Sequence, residues 1–362
     1  MVTWVYAAVL AFSMASPVPV TPAAAPMPRP EQIMAVPPAL RAQLQQQVIS
    51  AGSSRMLRLE RLVKFMFQGA GLGMQYAADA TLTVEQAYLT RKANCLTFTL
   101  MTLALAREAG LSAYGQEVDE IPTWRAQDST VYRTNHVNAG IAIDQVRFTV
   151  DVAWDSVIAR HPPRSIADQR LLALYYNNRA AELMTSASPA DAAPYMAMSL
   201  QLDPGYANSW SNAGVLQLHQ GDPRGAERDY LKALVLDPVN ADALFNLVTL
   251  YQSKGDEPRS AIFKRRLDKV RQKEPYYQYL LALGDEKQGD YARALKHYKR
   301  AIRLYDGEPR FYLGLAGVYQ QLGEERHAQR ALDHANALRE HHSGKKKQAD
   351  NINAGENEPS RF

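Results

Sequence analysis

The sequence predicts an α+β domain followed by an all-α solenoid, and three observations support this fold class. Residues 31–172 mix helical and strand patterning. Residues 173–341 repeat one helical-hairpin pattern with a period near 34 residues. The 362 residues are 46% hydrophobic and 22% charged, an ordinary globular composition that excludes a wholly disordered or collagen-like chain.

Charge and cysteine content narrow the classes of function. Lys and Arg number 41 against 37 Asp and Glu, a net charge of +4. So small an excess argues against a nucleic-acid partner, because binding nucleic acid needs a basic stripe. The single cysteine, Cys95, rules out an intramolecular disulfide and a Cys-based zinc site. We predict no metal site and no cofactor.

The N-terminal segment is typical of an export signal. Residues 2–15 (VTWVYAAVLAFSMA) are apolar, and a Pro- and Ala-rich stretch follows up to Pro30. The run is shorter than the ~20 residues of a membrane span, so we expect no stable span. We predict that residues 1–30 are a signal peptide and linker and that the protein is periplasmic or secreted. No Lys or Arg precedes the run, which leaves an uncleaved anchor or a misplaced start codon as alternatives.

The first half begins with helices. Residues 38–50 and 55–67 are amphipathic at helical spacing. A capping-box pattern at residues 83–86 predicts a short helix through Thr90. A longer apolar helix follows, with Asn94 as its N-cap and Gly110 as its stop.

Cys95 is then the first residue of that apolar helix. Backbone N–H groups and the helix dipole favour an anion at this position, and the thiolate is the nucleophilic form of cysteine. On position alone, the alternative is that Cys95 is one more small buried residue.

Three strands are predicted after this helix. They span residues 113–118, 131–143 and 146–153, and Asp144-Gln145 forms a hairpin turn between the last two.

The hairpin register brings polar side chains together. With a two- or four-residue loop, paired positions sum to 289, which places Asn138 opposite Asp151, whereas an odd loop would reverse the faces. His136 is the diagonal neighbour of Asp151 on the same face of the sheet. A cysteine, a histidine and a carboxylate therefore occur in an order that suits nucleophilic catalysis.

The segments NCLTFTLMTLALAREAGLSAY, NHVNAGIAI and FTVDVAWD resemble the transglutaminase-like superfamily, which has a papain-like fold. That resemblance implies Cys95 as nucleophile, His136 as general base and Asp151 as its orienting partner. The chain departs from the family pattern at Ala93, where Gly is frequent, and at Val137, where many members carry an aromatic residue.

The second half is an array of repeats. Its regularly spaced glycines and alanines are Gly221, Gly255, Gly289 and Gly323, with Ala192, Ala226, Ala261, Ala294 and Ala328. The glycines are 34 residues apart, and the position of Ala261 predicts a one-residue slip in the third repeat. Glycine permits a left-handed turn between helices, and small residues let the helices approach closely.

This period and residue set resembles the tetratricopeptide repeat family and predicts five repeats over residues 173–341. The resemblance implies a concave surface that binds a protein or peptide. The groove positions Ala181, Val215 and Thr249 carry no ordered basic set, which disfavours a carboxylate clamp. Asn178, Asn212 and Asn246 also recur every 34 residues and are interpreted as structural. Residues 342–362 are predicted to be a disordered tail.

Two functions from different classes follow. The first is an exported cysteine hydrolase or acyl transferase that acts on amide bonds through a thioester, with the array binding a protein partner. The alternative is a catalytically inactive scaffold in which the array and a degenerate papain-like domain bind proteins.

Overall fold

The computed structural model describes residues 26–118, 136–151, 163–186 and 189–354, and only the backbone of residues 186, 189, 190 and 341–354. The predicted signal falls almost wholly outside these residues. So does the part of the second predicted strand that precedes His136.

The first half of the chain contains both helices and strands. Its elements are α1 (Pro30–Ile33), α2 (Pro38–Leu44), α3 (Arg55–Phe67), β1 (Gln75–Tyr76), α4 (Val84–Thr90), β2 (Lys92–Ala93), α5 (Cys95–Glu108), β3 (Ser112–Val118), β4 (His136–Ile143), β5 (Val146–Val150) and β6 (Arg164–Ile166).

The helix predicted over residues 38–50 changes geometry midway. After α2, Gln45–Ile49 forms a π-helical turn. Leu40, Leu44 and Val48 are fully buried at four-residue intervals. A strict four-residue spacing drifts around an α-helix of 3.6 residues per turn, and the wider π turn keeps the third side chain in the core.

The ends of the other predicted helices are set by local caps. Thr83 Oγ1 accepts the backbone N–H of Gln86 at 3.2 Å, and the Gln86 side chain accepts the backbone N–H of Thr83. The predicted capping box is therefore confirmed. Asn94 caps α5 through Thr97 N. At the other end of α5, Gly110 has φ +75°, the left-handed conformation that stops the helix.

A four-stranded antiparallel sheet follows, with strand order β5-β4-β3-β6. Asp144 and Gln145 both have positive φ, as a tight two-residue hairpin turn requires. Pairs run from Ile143↔Val146 to Ala139↔Val150, so the predicted register, with positions summing to 289, is confirmed. The remaining strands, β1 and β2, form a small parallel pair.

The second half consists of helices that pack in consecutive pairs. They are α6 (Asp168–Ser186), α7 (Pro189–Leu202), α8 (Ala207–His219), α9 (Pro223–Leu236), α10 (Ala241–Ser253), α11 (Glu257–Arg271), α12 (Pro275–Lys287), α13 (Tyr291–Leu304), α14 (Pro309–Gln321) and α15 (Glu325–Ala354).

The turns within these pairs follow the glycine period. Gly221, Gly255, Gly289 and Gly323 have φ between +69° and +78°, a conformation that glycine adopts without steric cost. Small buried residues follow five positions later, at Ala226, Ala294 and Ala328.

The third repeat corrects one expectation. Ser260, five residues after Gly255, is the small buried residue at 2% exposure, whereas Ala261 is exposed. The predicted one-residue slip is therefore wrong. The left-handed turn at Gly255 fixes the helix start, and the period of 34 residues continues with serine in place of alanine.

The hydrophobic core of the α+β region continues into the first helix of the array. Leu171, Leu174, Tyr175 and Tyr176 of α6 are buried in the same cluster as α3, α5 and the sheet. Gly115 of β3 lies so close to α6 that an added Cβ would stand 2.5 Å from the Leu171 side chain. Helix α6 thus runs through the predicted boundary at residue 172 and belongs to both parts of the fold.

The C-terminal end differs from the predicted tail. Helix α15 continues to Ala354, and residues 355–362 lie outside the described part. The sequence contains no proline from residue 310 to residue 357, so no proline breaks the helix near residue 341. Within the described residues, no helix is long and apolar enough to cross a bilayer.

Candidate functional site

Cys95 lies at the start of α5, partly exposed to solvent. Asn94, the residue before it, accepts the N–H of Thr97 at 2.9 Å through Oδ1. The Nδ2 atom of Asn94 donates to Thr81 Oγ1 at 2.7 Å. The Asn94 side chain therefore ties the start of the helix that carries the thiol to Thr81 of the preceding segment.

His136 and Asp151 form a close pair at the adjoining end of the sheet. His136 is the first residue of β4 and is 3% exposed, and Asp151 directly follows β5. Nε2 of His136 lies 2.7 and 2.8 Å from the two carboxylate oxygens of Asp151. Asn138, two residues along β4, donates from Nδ2 to the same carboxylate at 2.9 Å.

The imidazole also reaches the thiol, since a side-chain hydrogen bond joins His136 and Cys95. All three residues singled out in the sequence, Cys95, His136 and Asp151, are thus brought into one cluster.

The electrostatics of this cluster favour a charged imidazole. Burial by itself lowers the pKa of His136. The hydrogen bonds and negative charge of Asp151 and Cys95 outweigh that effect and raise the pKa of His136 to about 9. At neutral pH the ring is therefore predominantly an imidazolium, which donates from Nε2 to Asp151.

Such an arrangement is able to support nucleophilic chemistry. The imidazolium beside the sulfur is placed to give a proton to a leaving group, and a carboxylate on the other ring nitrogen fixes the ring orientation. Among the described residues, no group of three or more His, Cys, Asp or Glu side chains is placed to hold a metal ion.

Two residues next to this cluster were not found from the sequence. Thr81 is buried and connects Asn94 to Glu182 of α6. Burial raises the pKa of the Glu182 carboxyl, while hydrogen bonds from the Thr81 hydroxyl and backbone N–H and from Arg179 oppose that rise. A glutamate within a repeat helix carries no local signal that it contacts another part of the chain.

The array presents a separate candidate surface on α10. Asp242, Phe245, Thr249 and Gln252 recur at helical spacing and are all exposed. Phe245 is 49% exposed, and the guanidinium of Arg271 lies 5.7 Å from the centre of its ring. An exposed aromatic ring beside a cation is a typical anchor for a protein partner.

The recurring asparagines form hydrogen bonds between repeats. Asn212 Nδ2 donates to Asn177 Oδ1 at 2.9 Å, and Asn246 Nδ2 donates to Ser211 Oγ at 3.4 Å. These contacts join each first helix to the preceding one. They agree with the structural interpretation of these asparagines rather than with a ladder of ligand contacts.

Comparison with protein families identifies the array. Tetratricopeptide repeat models match residues 212–269 and residues 287–342. The chain therefore contains tetratricopeptide repeats, a class of helical repeat whose members bind peptides or proteins.

Solved structures with similar helices cover about half of the chain. MamA from Desulfovibrio magneticus RS-1 is 16% identical over 48% of this chain and 97% of its own, with a TM-score of 0.27. PilF of Pseudomonas aeruginosa is 17% identical over 52% and 90%, with a TM-score of 0.29. YrrB, described as a tetratricopeptide protein with an unusual peptide-binding site, is 18% identical over 46% and 86%, with a TM-score of 0.26.

The comparisons give no support for a transglutaminase-like or papain-like domain in the first half. No curated protein sequence matches the chain. The α+β region is accordingly defined by its own sheet, helices and polar cluster.

Proposed function

We propose that this protein is a scaffold that binds a protein or peptide through its tetratricopeptide array. The family matches over residues 212–269 and 287–342 carry this proposal. Helix pairs closed by left-handed glycine turns form an extended stack whose first helices present side chains at regular intervals.

The exposed face of α10 supplies the chemistry of recognition. The Phe245 ring offers an apolar contact, and Arg271 beside it offers a cation for a carboxylate. A partner segment that carries an apolar side chain next to an acidic one satisfies both groups.

Peptide display against the full-length chain tests this function. Peptides selected by the wild-type protein are titrated into Phe245→Ala and into a matched control, Val235→Ala, whose side chain is 72% exposed on α9. The proposal predicts affinity that falls at least about tenfold in Phe245→Ala and is unchanged in Val235→Ala. Selection of no peptide, or equal binding by both variants, contradicts it.

A second function is favoured by one observation, the hydrogen bonding of His136 to both Cys95 and Asp151. We propose that this cluster performs cysteine-dependent acyl transfer, as the sequence resemblance to the transglutaminase-like superfamily implies. The Cys95 sulfur attacks an amide carbonyl and forms a C–S bond. The His136 imidazolium gives its proton to the departing amine as the C–N bond breaks.

The second half of this reaction restores the enzyme. Water or another amine attacks the thioester carbonyl, and His136, now neutral, accepts its proton. The sulfur leaves as thiolate and the imidazolium forms again. Water gives hydrolysis, and an amine gives a new amide.

Alkylation of the protein with iodoacetamide over a pH series tests the second function. Cys95 is the sole cysteine, so the adduct reports one site. Fast labelling well below pH 8 that slows in His136→Ala supports the pair. Labelling that rises only as an ordinary thiol ionises, near pH ~8.5, and that ignores His136→Ala contradicts it.

Export to the periplasm or the outside of the cell remains a proposal that rests on residues 2–15 and the Pro- and Ala-rich stretch after them. Cell fractionation followed by N-terminal sequencing tests it. Recovery of a shortened protein outside the cytoplasm supports export, and an intact cytoplasmic protein contradicts it.

A further inference from the structure

A chain of hydrogen bonds joins the first helix of the array to the helix start that carries the thiol. Thr97 donates its backbone N–H to Asn94 Oδ1 at 2.9 Å, and Asn94 Nδ2 donates to Thr81 Oγ1 at 2.7 Å. Thr81 in turn donates its hydroxyl and its backbone N–H to the carboxylate of Glu182 on α6.

The donors in this chain all point the same way. Asn94 and Thr81 each accept a hydrogen bond from the side of α5 and donate one toward Glu182, so each bond strengthens the next. Thr97, Asn94 and Thr81 are buried, which leaves them few other partners. Thr81 Oγ1 has one proton to donate, and a carboxylate is the strongest acceptor available to it.

The Glu182 carboxylate is also bound by a side chain of its own helix, α6. Arg179, three residues earlier on α6, forms an ion pair and a hydrogen bond with the carboxylate. Because Leu171, Tyr175 and Tyr176 of α6 are buried in the α+β core, the backbone that presents Glu182 is fixed relative to α5.

We infer that Glu182 is a positioning residue for Cys95: through Thr81 and Asn94 it orders the first turn of α5, so α6, the first helix of the array, is part of the Cys95 site. The importance of this ordering for chemistry rests on the proposed acyl-transfer function. The ordering itself does not depend on that function.

Hydrogen exchange of the full-length protein, followed by mass spectrometry of peptides covering residues 94–98, tests the inference. We expect Glu182→Ala to speed exchange there by about three- to tenfold, because the N-cap loses its final acceptor. Glu182→Gln keeps an acceptor oxygen and is expected to restore slow exchange. Thr185→Ala is the matched control, since among the described residues the exposed Thr185 hydroxyl bonds only within α6.

A second variant guards against misfolding of Glu182→Ala. Thr81→Val removes the linking hydroxyl with little change of shape and is expected to speed exchange in the same peptides. Wild-type exchange in both Glu182→Ala and Thr81→Val overturns the inference.

Iodoacetamide labelling of the same proteins separates the two proposals. If wild-type Cys95 labels fast below pH 8, we expect labelling at pH 7 to slow about threefold in Glu182→Ala and to recover in Glu182→Gln. Ordinary labelling of the wild type, combined with faster exchange in Glu182→Ala, overturns the acyl-transfer function and still supports the positioning role.

Discussion

His136 couples the stability of the fold to pH. Its pKa of about 9 in the folded protein lies above the ordinary value of 6.5 because Asp151 and Cys95 stabilise the charged ring despite burial. A raised pKa stabilises the folded state fully below about pH 6.5, and the stabilisation is lost as the pH rises through about 9.

Urea unfolding at pH 6 and pH 9.5 measures this coupling. We expect the wild type to lose up to about 3 kcal/mol more free energy of unfolding over this interval than His136→Gln, which cannot titrate. Parallel losses in the two proteins would show that the ring is not held in its charged form.

Asn138 hydrogen-bonds the Asp151 carboxylate, which in turn contacts the His136 ring. Its Nδ2 donates to Asp151 at 2.9 Å in a largely buried setting, and a hydrogen bond to a charged group contributes about 1.5–3 kcal/mol. Asn138→Ala should therefore lower the free energy of unfolding by about that amount. Thr149→Ala is the control, because the weak bond from Thr149 to the neutral Gln116 at 3.3 Å predicts a smaller loss. Equal losses would contradict a special role for Asn138.

The cluster was predictable from the sequence where its geometry is local. A helix N-cap places Cys95, and the parity of a two-residue hairpin places His136 and Asn138 on the face of Asp151. Glu182 was not predictable, because its contact with Thr81 depends on how two distant segments pack. Neither segment carries a pattern that specifies the other.

At the scale of the element, the glycine turns define the array. Gly289 has φ +75° with nothing within 4 Å of an added Cβ, so Gly289→Ala introduces backbone strain without a clash. We expect a loss of about 1 kcal/mol in the free energy of unfolding. Gly284→Ala is matched within the same repeat: it lies inside α12 with equally open surroundings, and it should stabilise by about 0.5–1 kcal/mol. Thermal unfolding distinguishes them, and shifts in the same direction would refute the assigned conformations.

The third repeat shows that alanine spacing alone does not identify the small residue that packs between helices. Alanine spacing alone suggested a slip at Ala261, but the turn glycine determines which residue faces the neighbouring helix. The fifth residue after Gly255 is Ser260, which is buried. Its side chain, like that of alanine, is small enough for two helices to pack closely.

At the scale of the whole molecule, the α+β region and the array share a core. Periodicity predicted the array, and mixed patterning predicted an α+β domain before it. The shared core was not predictable, since apolar residues on α6 satisfy the repeat pattern and the domain core equally well.

This shared core predicts where the chain can be cut. A fragment of residues 26–167 loses Leu171, Tyr175 and Tyr176 from its core, at about 1.5–3 kcal/mol for each large side chain. We expect it to be unfolded or aggregated, whereas residues 26–206 retain α6 and α7 and fold. Circular dichroism melts of the two fragments measure this, and a cooperative transition in the shorter fragment would contradict it.

The measurement that tests the binding function most directly is hydrogen exchange of the full chain with and without a peptide selected by display. A binding array predicts slower exchange in α10, residues 241–253, where Phe245 and Thr249 are exposed. Slower exchange confined to the α+β region, with α10 unchanged, would contradict the claim that the array is the binding element.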